Sequence, residues 1–210
     1  MTRQIGVLGG TFDPVHLGHL VMAMEALLTL ELDEVVFVPA GQPWQKLDRV
    51  VAGAEERAEM VRLALDGNRQ LRLSLVDVRR PGPSYAVDTL PALRGEYPED
   101  VKFWFLVGLD ALAGLNSWKQ PEQLLREAQI VALPRPEVAS PVGTIQAKWP
   151  WARLVELEGP QIGISSSQIR RRLVAALPIT YLVPAAVEAY IMQRGLYGQQ
   201  PVGTLRTRPR

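Results

Sequence analysis

Short apolar segments and amphipathic segments alternate along most of the 210 residues, and that alternation constrains the fold more than any other feature. Residues 4–8, 34–38, 71–78, 102–107, 129–133 and 153–157 read as strands. Several are apolar throughout, such as EVVFV at 34–38 and KFWFLV at 102–107, as expected of strands covered on both faces. Helical spacing marks residues 17–32, 54–65, 84–93, 123–127, 166–174 and 184–194, with a break expected near Pro91. The helix over 54–65 is expected to carry its Arg and Glu residues on a polar side. Residues 136–151 read as a surface loop. The expected fold is α/β: a Rossmann-like, doubly wound, mainly parallel sheet with helices on both faces. Residues 1–198 read as a single domain and 199–210 as a loosely held tail with Pro, Gly and spaced Arg. Ligands of such sheets sit beyond the carboxyl ends of the strands.

The stretch GGTFDPVHLGHL begins at just such an end. Gly9 and Gly10 permit a tight turn and a close backbone approach to a ligand. Thr11 and Phe12 lead into a helix start, whose N–H groups and partial positive charge suit phosphate. His16 and His19, the chain's only two histidines, are three residues apart and fall on one helix face. Imidazoles there can donate to phosphate oxygens and strengthen those bonds as charge develops on a leaving group. The bland alternatives are a simple turn and satisfied structural histidines. No Walker-type loop and no G-x-G-x-x-G after a strand is present.

A second stretch, GISSSQIRRRL, gives Ser165 and Gln168 the spacing of a capping box. Arg170 follows Ser166 by four residues, so both lie on one face. A helix start plus a planar guanidinium makes a second anion site. Serines as plain caps and solvated arginines are the alternative reading.

These residues carry a family resemblance. His16-Leu17-Gly18-His19 and Ile164-Ser165-Ser166-Ser167-Gln168-Ile169-Arg170 resemble the two signatures of the HIGH-motif nucleotidylyltransferase superfamily. Within it, the chain from about Ile5 to Tyr197 is similar to bacterial nicotinate-nucleotide adenylyltransferases. The matching segments are PAGQPWQK ending at Lys46, SYAVDTL at 84–90, Gly108-Leu109-Asp110, Trp118-Lys119 and YLVP at 181–184. Gln45 stands where the family often has His, Trp44 replaces a Pro, and Ala86 replaces a common Thr.

The resemblance implies an adenylyltransferase of NAD biosynthesis. A phosphate oxygen of nicotinate mononucleotide would attack the α-phosphorus of ATP and release pyrophosphate. It implies catalytic roles for His16, His19, Lys46 and Arg170, and Mg²⁺ arriving with ATP. Gly9, Gly10, Thr11, Phe12, Gly108, Asp110, Ile164, Ser165 and Ser166 would contact ATP. Asp110 is alternatively a helix N-cap. Tyr85, Ala86, Trp118 and Lys119 would contact the nicotinate nucleotide, with Trp118 alternatively an ordinary core or lid aromatic. The rivals are a phosphopantetheine adenylyltransferase and a non-catalytic nucleotide-binding regulator.

Composition narrows the classes. No cysteine is present, which excludes disulfides, thiolate zinc sites and a cysteine nucleophile. A net charge of +1 gives no support to nucleic-acid binding. No apolar run reaches bilayer length, so no membrane partner and a cytoplasmic location are expected. A homo-oligomer stays open.

Overall fold

The computed structural model describes residues 2–44, 51–98, 100–134, 136, 138–160 and 162–198. Six strands form one sheet in the order β3-β2-β1-β4-β5-β6. They are β1 (Arg3–Gly10), β2 (Glu34–Pro39), β3 (Leu71–Leu73), β4 (Val101–Gly108), β5 (Gln129–Leu133) and β6 (Leu154–Glu156). Every pairing is parallel. Chain order reverses between β1 and β4, the switch point of a doubly wound sheet.

Strand periodicity explains the two cores. Leu8, Val35, Phe37, Leu106 and Val131 face one way. They pack against helices α1 (Leu17–Thr29), α2 (Ala54–Leu65), α8 (Ser166–Val174) and α9 (Ala185–Arg194). Their neighbours Val7, Val36, Phe105, Val107 and Ile130 face the other way. Those meet α4 (Ala86–Arg94), α5 (Leu109–Leu112), α6 (Pro121–Glu127) and α7 (Val142–Lys148). A short helix α3 (Val76–Arg79) joins β3 to α4. No helix among the described residues is long and apolar enough to cross a membrane.

Three local expectations change. The strand expected over 71–78 ends at Leu73, and its second half turns into α3. The Ser74 N–H donates to the Phe37 carbonyl, and the Ser74 hydroxyl then accepts from Val76 N, which bends the chain. Pro91 does not break α4, which runs on to Arg94. Leu90 and Leu93 are almost wholly buried, and that packing outweighs one missing helix hydrogen bond. The stretch read as a surface loop contains α7, whose Ile145 is buried along with Trp149 just beyond it.

Candidate active site

Two adjoining cavities open at the carboxyl ends of β1 and β4. The larger, about 290 Å³, is lined by Gly9–Asp13, both histidines, Gly108, Asp110, Ser165–Ser167 and Arg170. The two sequence motifs, some 150 residues apart, therefore meet in one cleft. The smaller, about 170 Å³, is lined by Gly9–Thr11, Trp44, Asp77, Ala86 and Trp118, among others. Gly9, Gly10 and Thr11 line both.

Local chemistry explains the first motif. Helix α1 starts with no Ser, Thr or Asp as its cap; His16 takes that position. The His16 N–H instead donates to His19 Nδ1 at 3.2 Å. Here a histidine does what Glu does at the third position of a capping box. An Nδ1 that accepts leaves Nε2 to carry the proton of the neutral ring. The two imidazoles stack, with centroids 3.7 Å apart. Gly18 makes room for this, because a Cβ there would lie 3.1 Å from His16 Nδ1. Phe12, buried and at φ 51°, sets its ring edge-on to His19 at 5.0 Å.

The second motif is tied to the first. Ser165 caps α8, its hydroxyl accepting from Gln168 N at 3.2 Å, as the spacing predicts. The Ser166 hydroxyl donates to the Pro14 carbonyl at 2.9 Å. Arg170 Nη1 donates to the Asp13 carbonyl at 2.7 Å and lies 3.6 Å from the Asp13 carboxylate.

Asp13 is the site residue that no sequence signal singles out. Its buried carboxylate accepts from Val51 N at 3.0 Å, Ala52 N at 3.1 Å and the Tyr197 hydroxyl at 2.7 Å. Burial, then the Asp13 charge, push the Tyr197 hydroxyl well above its ordinary value. Arg57 also departs from expectation. It is 1% exposed, not on the polar side of α2. The signal was available: Arg57, Met60 and Val61 follow helical spacing onto the buried stripe.

The smaller cavity has its own buried charge. The Thr89 hydroxyl lies 2.9 and 3.0 Å from the two Asp77 carboxylate oxygens, and Asp77 pairs with Arg80 at 2.7 Å. Burial nonetheless pushes its carboxyl above the ordinary carboxylate range, against the pull of Thr89, Arg80 and Ser84. A raised pKa means stability that is full in acid and lost as pH rises through the folded value. Asp77→Asn is therefore expected to melt no lower than the parent at pH 7. Its advantage should shrink as pH falls through the carboxylate range, read by thermal unfolding at each pH.

The remaining assigned residues fall into place unevenly. Ala86 opens α4 and lines the smaller cavity with Trp118. Tyr85 and Lys119 line a neighbouring depression, where Lys119 pairs with Asp88 at 2.8 Å. The Lys119 ammonium lies 4.9 Å from the Tyr85 ring centre, and Tyr85 tilts against Trp44 at 5.6 Å. Gly108, not Asp110, is the N-cap of α5, and Asp110 sits in its first turn. Ile164 lines neither cavity; its side chain packs against the core. Lys46 and Gln45 lie outside the described residues.

No group of three or more His, Asp or Glu able to hold a metal occurs among the described residues. The larger cleft offers mainly donors; it holds two carboxylates, Asp13 and Asp110, and Asp13 is already engaged. That donor set fits a cation held by a phosphate chain rather than by a carboxylate cage.

A doubly wound sheet, with two helix starts and an arginine around a cleft at its switch point, defines a nucleotide-binding α/β protein. Residues 7–172 match the cytidylyltransferase-like family. A protein of Dehalococcoides mccartyi is 41% identical over 95% of this chain and 100% of its own length. One of Acidothermus cellulolyticus is 45% identical over 92% of this chain and 94% of its own. Both are described as probable nicotinate-nucleotide adenylyltransferases. The chain belongs to the cytidylyltransferase-like family, among its nicotinate-nucleotide adenylyltransferases. The fold is also that of the Plasmodium falciparum nicotinic acid mononucleotide adenylyltransferase complexed with NaAD. The TM-score is 0.79, at 20% identity over 94% of this chain and 98% of that one.

Proposed function

We propose that this chain joins nicotinate mononucleotide to the AMP part of ATP, forming nicotinate adenine dinucleotide and pyrophosphate, a step of NAD biosynthesis. The observation that carries the reading is the convergence of His16, His19, Ser165–Ser167 and Arg170 on one cleft beside a second, aromatic-walled cavity. The family of its relatives supplies the reaction class.

ATP occupies the larger cleft, with its phosphates against Gly9–Phe12, His16, His19, Ser165, Ser166 and Arg170. Ribose lies toward Gly108 and Asp110. The nicotinate nucleotide fills the smaller cavity beside Trp118, with Tyr85 and Lys119 in the neighbouring depression. Its carboxylate meets the opening turn of α4 at Ala86, where a helix start favours an anion. The catalytic role given to Lys46 rests on the resemblance of its segment alone. The acceptor's phosphate oxygen attacks the α-phosphorus; one P–O bond forms as the bond to pyrophosphate breaks. No protein nucleophile takes part. The donors concentrate positive potential where several negative charges meet, and the two cavities hold the reactants in line. A divalent cation such as Mg²⁺, held by the triphosphate, neutralises part of the phosphate charge when bound. Both substrates are small molecules, and the reaction is placed in the cytoplasm.

Incubating the protein with ATP and either mononucleotide tests this by chromatography of the products. The nicotinate form is expected to be preferred by at least about tenfold in kcat/KM, since a site built for a carboxylate leaves its donors unmatched by an amide. Preference for the nicotinamide form would remove the acceptor assignment. ATP binding without pyrophosphate release would favour the regulator, and a product with phosphopantetheine the sister enzyme.

A further inference from the structure

Arg57 is a large cation with no exposure to speak of, and its buried partners are backbone carbonyls. Its Nη1 donates to the Thr11 carbonyl at 2.7 Å, its Nη2 to Gly41 at 3.0 Å and its Nε to Ala52 at 3.2 Å. These belong to three separate stretches of chain. Thr11 is in the turn that both cavities share. Gly41 lies between Ala40 and Pro43–Trp44, which wall the smaller cavity. Ala52 leads into α2, and its N–H is bound by Asp13 of the larger cleft. Burial holds the Arg57 guanidinium below its ordinary value, opposed by the charge of Asp13.

A buried arginine is costly unless its donors are met, and a less demanding residue could fill the space. What the guanidinium offers is geometry. Its donors diverge at fixed angles from one rigid plane, so three carbonyls bonded to it are fixed relative to one another. The Gly41 side is held from elsewhere too. Its N–H donates to the Ser84 hydroxyl at 3.0 Å, and Ser84 N donates to the Gln42 carbonyl at 2.9 Å.

We propose that Arg57 is a positioning residue for the transfer reaction: it fixes the wall of the acceptor cavity, at Gly41, in register with the phosphate turn at Thr11. It touches neither substrate. This rests on the proposed joining of two nucleotides across these cavities. Each cavity binds its own nucleotide with or without tight register, but an in-line attack depends on it. A misplacement of about 1 Å can cost about 10²-fold in rate.

Two variants disturb the register from different sides. Arg57→Lys keeps the charge but brings all its donors from one nitrogen, which cannot span three diverging carbonyls. Gly41→Ala leaves Arg57 intact. Its new Cβ would meet the Asp77 carbonyl oxygen, so the wall must shift. Both are expected to lose roughly 10- to 100-fold in kcat, while KM for each nucleotide stays within about threefold. Amide exchange over 9–13 and 39–44 should rise about tenfold, with α9 still protected. Folded variants with parental kcat overturn the proposal. So does a rate loss matched by the unfolded fraction, with no change in the kcat-to-KM split. If Arg57→Lys does not fold, Gly41→Ala alone decides by the same measures. If the parent forms no dinucleotide, the functional reading fails, and the exchange comparison still tells whether Arg57 holds these segments.

Discussion

Replacing His19 with alanine is expected to lower kcat at least about 10²-fold, the usual consequence of losing a donor aimed at developing charge. That corresponds to about 2.7 kcal/mol of transition-state stabilisation. The fold should survive. What α1 loses includes the contact from His16 N to His19 Nδ1, the stack on His16 and the edge of Phe12, and a cap of this kind contributes about 1 kcal/mol. ATP binding, followed by calorimetry, should weaken far less than turnover, because Arg170 and the Ser165 helix start remain beside it. Near-parental turnover in a folded His19→Ala variant would remove the role given to this ring.

The largest expected effect on stability comes from Asp13→Ala. The carboxylate is buried, so its loss leaves two peptide N–H groups and the Tyr197 hydroxyl without their acceptor. It also removes the counter-charge 3.6 Å from Arg170. Breaking a buried ionic network from one side costs about 3–5 kcal/mol. At this chain length each kcal/mol moves Tm by about 2–4 °C, so a fall of roughly 6–20 °C is expected in a calorimetric scan. Asp13→Asn keeps one acceptor oxygen and should recover part of that fall. A loss below about 1 kcal/mol in Asp13→Ala would show that the network is solvated.

These two predictions separate what the sequence revealed from what it did not. His19 was legible because chemistry and spacing coincide: the chain's two histidines follow a glycine turn at the end of a strand. The sheet was legible for the same reason, since strands covered on both faces are apolar throughout. Asp13 was not, although it stands inside the first motif. Its partners, Val51, Ala52, Arg170 and Tyr197, lie up to 184 residues away, and no local period encodes them. The Leu-Val-Asp-Val run after Ser74 fits a strand and a helical turn equally, so only the Ser74 bonds and the burial of Asp77 decide it. Helix α7 is not legible because its apolar residues Val142 and Ile145, with Trp149 just beyond its end, are few and lie among Pro141, Gly143 and Pro150. At Arg57 residue type and helix position conflict: an arginine suits a surface, but its spacing with Met60 and Val61 points inward.

The strip from Gly9 to Thr11 forms a party wall between two rooms. A change in a party wall is felt by both occupants. With the acceptor in the smaller cavity, as proposed, descendants of this chain that acquire a new acceptor have little freedom there and must remodel the far side, around Trp44, Asp77 and Trp118. Those that alter their handling of triphosphate must instead work from the Arg170 side. Divergence in one half can then proceed without disturbing the other, which lets a single scaffold keep its nucleotide donor while exchanging the molecule it is joined to.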